Sequence, residues 1–129
     1  MFYRFWGQDE RRAFGGGDFY ELQFCRLPAG TPIKRIVDVG VEHWRNDSLY
    51  VPGDDTALFD REYGEIFTGG ACNNLQSGPW DWCGINYYDP GLTEKIIAEV
   101  LERKPRESTK LLLWLYEARG YNGFYLLGV

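Results

Sequence analysis

The sequence predicts an α+β domain spanning residues 1–129. A mainly antiparallel β-sheet comes from the N-terminal two-thirds, with two C-terminal α-helices packed on it and a closing C-terminal strand. Three observations predict it. Phe19 to Leu27 alternates with period two, Tyr20, Leu22 and Phe24 forming the apolar side. Beyond Asp89-Pro90 the apolar spacing becomes helical. Phe124 to Leu127 is apolar throughout, as a covered strand would be.

The elements follow in chain order. Phe2 to Trp6 is aromatic-rich, is stopped by Gly7 and reads as a strand. Gly15-Gly16-Gly17 reads as a hairpin connection leading into Phe19–Leu27, and Pro28-Ala29-Gly30 turns the chain. Ile33 to Val41 is β-branched and predicts a third strand. Leu49-Tyr50-Val51 is a short strand cut by Pro52-Gly53-Asp54-Asp55. Tyr63–Thr68 and Cys83–Tyr88 are further strands, separated by a Gly/Asn-rich loop over Thr68–Gly78. Asp89 then offers an N-cap and Pro90 suits a first helical turn. Ile96, Ile97, Val100 and Leu101 share one face of that helix. Pro105 separates it from a second helix over roughly Glu107–Arg119, stopped by Gly120. Its buried side is Leu111, Leu112, Leu115 and Ala118, widened by Leu113 and Trp114.

Charge is the main functional signal. Asp38 to Glu65 holds eight acids against two bases, a formal charge of −6 in a chain whose total is −5. A localised negative field attracts basic partners and repels nucleic acid and anionic membrane surfaces. The longest apolar run, Leu111–Tyr116, is far shorter than the roughly 20 residues of a membrane-spanning helix. No N-terminal stretch has the pattern of a secretory leader, which together with three odd, widely spaced cysteines leads to the expectation of a soluble, cytoplasmic chain with reduced thiols.

Candidate chemistry is sparse. The triple glycine lacks the lysine and Ser/Thr of a phosphate loop. His43 is the one histidine, so neither a zinc site nor a cysteine–histidine pair is specified, and no metal or cofactor is expected. Asp54-Asp55 and Glu62/Glu65 could in principle supply an acid and a base for sugar hydrolysis. Trp80-Asp81-Trp82 could stack on a sugar ring or cap a core edge. Calcium-loop spacing is absent.

Asp81-Trp82-Cys83-Gly84-Ile85-Asn86-Tyr87-Tyr88, Leu111–Leu115 with Trp114, and Gly123–Gly128 resemble small bacterial immunity proteins that neutralise toxins of interbacterial competition. The resemblance implies an acidic, cytoplasmic, non-enzymatic single domain that occludes a cognate basic toxin; a monomer or homodimer is expected, the aromatic-rich Phe2–Trp6 strand offering a dimer edge. A nuclease toxin must be basic to hold phosphate, and an acidic block would imitate its substrate. The contact residues expected are Asp47, Asp54, Asp55, Asp60, Glu62 and Glu65, with Trp44 and Tyr50 or Tyr63 as aromatic anchors. Two other readings stand beside this one: a small enzyme acting through carboxylates or a Cys/His pair, and a DNA mimic aimed at a host nucleic-acid enzyme.

Overall fold

The structure, a computed structural model, describes residues 1–5, 8–14, 19–38, 47–72, 77–78 and 84–128. It is α+β. A six-stranded sheet in the order β2-β1-β6-β5-β3-β4 is antiparallel at every pairing. The strands are β1 (Phe19–Phe24), β2 (Leu49–Pro52), β3 (Gly70–Cys72), β4 (Ser77–Gly78), β5 (Ile85–Tyr88) and β6 (Phe124–Leu127). The helices are α1 (Gln8–Phe14), α2 (Ile33–Ile36), α3 (Thr56–Tyr63), α4 (Pro90–Arg103) and α5 (Ser108–Ala118). The closing strand β6 lies at the centre of the sheet, between β1 and β5, so the last element completes the core.

The period-two pattern of β1 divides the interior as its sequence requires. Tyr20, Leu22 and Phe24 face the main core, with Leu49 and Val51 of β2 and Phe124 and Leu126 of β6. On them pack Phe59 and Tyr63 of α3, Ile96, Ile97 and Val100 of α4, and Leu111, Trp114, Leu115 and Ala118 of α5. Trp114 is fully buried. Its ring stacks 4.2 Å from Phe24, and its Nε1 donates to the Asp47 carbonyl at 2.9 Å, so a large apolar ring is buried without orphaning its N–H. The opposite side of the sheet carries two smaller clusters. Cys25, Tyr87 and Tyr125 meet Ile36 and Val37 beside α2; Phe5, Phe19 and Tyr50 pack together, with the ring of the exposed Phe14 of α1 tilted against Phe5 at 5.4 Å. Cys25 and Cys72 are free buried thiols.

Asp89 caps α4 as its sequence position predicts, accepting the Leu92 N–H at 2.8 Å. Five expectations change. Of Phe2–Trp6 only Tyr3 pairs, in an isolated bridge to Tyr50, while Trp6 lies outside the described residues. Ile33–Ile36 is a helical turn: Pro32 presets its entry, and Ile33, Ile36 and Val37 follow helical spacing. Val39–Val41 lie outside the described residues. The predicted strand Tyr63–Thr68 is instead the end of α3 and a following turn, because Phe59, Tyr63, Ile66 and Phe67 recur every three or four residues and bury together. The predicted loop Thr68–Gly78 contains β3 and β4. Leu101 and Leu113, placed on buried helix faces from the sequence, are exposed.

The acidic face of α3

Residues 53–65 form the candidate site. Pro52 ends β2, Gly53–Asp55 makes a 3-10 turn, and α3 follows with Thr56 Oγ1 donating to the Gly53 carbonyl at 2.9 Å. Because Phe59 and Tyr63 point into the core, Asp60 is left on the solvent side. Asp54 is exposed in the turn and has no ion-pair partner among the described residues. Both Asp60 oxygens accept from the Tyr20 hydroxyl at 3.3 Å. Burial pushes the Asp60 carboxyl above the usual aspartate range, and the Tyr20 bond pulls it partly back.

The other acids of this face meet cations from distant parts of the chain. The α4–α5 link turns through left-handed Lys104 and Glu107, and it delivers Arg103 and Arg106 beside α3. Glu65 sits 2.9 Å from Arg103. Glu62 accepts the Arg106 N–H at 3.2 Å, with the guanidinium at 3.9 Å. Tyr63 hydroxyl donates to the Arg106 carbonyl at 2.6 Å, which pins the link to α3 from below. Asp55 lies 3.9 Å from the Met1 ammonium, which Glu107 holds at 2.8 Å.

Five of the nine expected contact residues, Asp54, Asp55, Asp60, Glu62 and Glu65, fall within residues 53–65: Asp55, Glu62 and Glu65 turn to the N-terminus and the α4–α5 link, while Asp60 turns to Tyr20 of β1. Asp47 does not join them. It pairs with Arg26, whereas Asp60 contacts Tyr20, and those two partners are six residues apart along β1 and its exit, about 20 Å of extended chain. Tyr50 is 1% exposed on the opposite side of the sheet, with its hydroxyl on Glu21 at 2.9 Å. Tyr63 is fully buried. Neither ring is available as a surface anchor, because strand alternation turns Tyr50 under the sheet and helical spacing turns Tyr63 into the core. Trp44 lies outside the described residues, as do His43, Trp80 and Trp82. Sequence reading missed Arg103 and Arg106, whose acids lie some forty residues earlier, and Glu107, which holds the Met1 ammonium; no local pattern records these pairs.

Among the described residues no group of three or more metal-ligating side chains forms. Two open depressions, of about 290 and 360 Å³, are lined around Met1–Tyr3 and around Cys25–Ala29 respectively, and neither includes a residue of 53–65. The Cys25 thiol donates to the Tyr125 hydroxyl and the Cys72 thiol to Asn86 Oδ1, at 3.6 and 3.4 Å, both inside the protein. Among the described residues no helix is long and apolar enough to cross a membrane. No family model, curated protein or solved structure matches the chain.

Proposed function

We propose that this chain is a cytoplasmic immunity-type inhibitor, which binds a cognate basic toxin domain through the acidic α3 face and occludes it. One observation carries the reading: residues 53–65 hold five acids, none of them buried, against one base, Arg61, in the same segment. Three of these acids, Asp55, Glu62 and Glu65, meet cations at Met1, Arg106 and Arg103. The Glu65–Arg103 pair joins side chains 85% and 48% exposed, and such surface pairs are worth about 0–1 kcal/mol. A partner's lysine or arginine can displace them at little cost. Asp54 has no ion pair among the described residues, and Asp60 accepts from the neutral Tyr20 hydroxyl. A face of this kind speeds encounter with a basic surface over a Debye length of about 8 Å at physiological salt.

The test uses Asp54→Lys combined with Asp60→Asn against the purified toxin partner. The expected result is an association rate lowered about tenfold at low salt and a flatter salt dependence, with dissociation and melting temperature little changed. Association kinetics identical to those of the unmodified chain would remove α3 from the interface.

A further inference from the structure

We propose that the outer face of α4–α5 is a self-association surface, on which α5 pairs antiparallel with α5 of a second copy of this chain. The bidentate contact of Arg119 with Glu94, at 2.7 and 2.9 Å, fixes the C-terminal end of α5 against the start of α4. That antiparallel packing aligns Leu101 of α4 with Leu112, Leu113 and Tyr116 of α5 along the solvent side. Leu113 is 59% exposed, Leu101 50% and Tyr116 39%. Scattered exposed leucines are ordinary; here three large exposed apolar side chains lie on two helices that pack against each other.

Charge selects the occupant. Residues 90–119 carry six bases and five acids, interspersed, so this face does not repel its own copy as the α3 face does. The order of the charges also fits a two-fold axis. Lys110 and Glu117 lie on the same flank of α5, one turn before and one turn after Leu113. Tyr3 and Arg4 of the N-terminal segment hold that flank in place: the Lys110 ammonium lies 5.9 Å over the Tyr3 ring, and Glu117 lies 3.2 Å from Arg4. When two identical helices pair antiparallel, equal flanks meet in reverse order. Centred near Leu113, the pairing sets each Lys110 opposite the second copy's Glu117. Glu117 is 53% exposed and has room for a second cation. With one helix face from each copy, the interface falls at the small end of specific contacts, below about 1,200 Å² in total, so the association is weak and concentration-dependent.

Sedimentation velocity of the full chain, from micromolar to near-millimolar concentration, tests this. The expected result is a monomer–dimer equilibrium weakened at least tenfold by Leu113→Glu. Lys110→Glu and Glu117→Lys should each weaken it about fivefold, and the double exchange should restore it to within about twofold. Asp54→Lys should leave it unchanged. A monomer at every concentration, a dimer indifferent to Leu113→Glu, or a double exchange without rescue would each overturn the proposal. So would a monomer whose binding of the basic partner is lost in Leu113→Glu, because the face would then belong to that partner.

Discussion

Gly123 is the residue on which the corner between α5 and β6 turns, and replacing it with alanine separates backbone strain from steric clash. Its φ is +81°, in the left-handed region, where a side chain costs about 1–2 kcal/mol. Its surroundings add more. A Cβ built there would lie 2.1 Å from the Tyr88 carbonyl oxygen and 3.0 Å from Asp89 Cα, both backbone atoms. Relief requires β5 or the start of α4 to move. Tyr88 is paired with Phe124, and the Asp89 carbonyl accepts the Thr93 N–H at 2.8 Å while its side chain caps α4. Overpacking of this kind costs about 1–3 kcal/mol and a disturbed cap about 1 more, so Gly123→Ala should cost roughly 4 kcal/mol. Domains of this size have about 5–15 kcal/mol of stability in all. Gly30 is the control. Its φ is +89°, but no atom lies within 4 Å of a Cβ built there, so Gly30→Ala should cost only the backbone term. Urea unfolding followed by far-UV circular dichroism measures both. Equal losses for the two variants would refute the close approach of Gly123 to Tyr88, and with it the placement of β6 against β5 at this corner.

Asn86 is fully buried, donates Nδ2 to the Leu126 carbonyl at 3.0 Å and accepts from the Cys72 thiol. Asn86→Ala should therefore cost about 2–3 kcal/mol of unfolding free energy, read as a lowered urea midpoint, and an unchanged midpoint would refute its bridging role. Asp60 has its folded-state pKa raised by burial above the reference value of 3.8, so its stabilising contribution is complete below that value and is lost as pH rises through the folded pKa. Asp60→Asn keeps an acceptor for Tyr20 and should match or exceed the parent's stability at pH 7 by up to about 0.5 kcal/mol, with no difference near pH 3; a clear loss at pH 7 would contradict this. Tyr63, Tyr87, Tyr88 and Tyr125 are all raised above the usual value of 10, chiefly by burial. Their contribution is complete below pH 10 and is lost as pH rises above it, so absorbance at 295 nm should show these four phenols ionising together with unfolding, and free ionisation in the folded chain would contradict their burial.

The sequence made the strongly periodic elements legible. The alternation of β1, the Asp89-Pro90 start of α4, and the apolar run of β6 each carry a pattern long enough to name its period. Ile33–Ile36 and the Tyr63–Thr68 stretch misled because they are short and rich in residues that suit strands. There, Pro32 and contacts with the core outweighed intrinsic preference. Composition exposed the acidic block but not its division. That Asp47 faces Arg26 at one end of β1 while Asp60 faces Tyr20 at the other follows only from β2 pairing antiparallel to β1. The partners of Glu62 and Glu65 are set by a link that folds back from the far end of α4, a relation no local spacing records.

The most direct test of the central claim is capture from lysate of the cells that carry the gene and its neighbours, using the unmodified chain beside Asp54→Lys/Asp60→Asn, with captured proteins identified by mass spectrometry and rebound after purification. The account predicts one basic protein, encoded near this chain, that binds the unmodified chain at low salt, is weakened by moderate salt and is captured less by the variant. Equal capture of the same partner by both forms, or a partner without a basic surface, would contradict it.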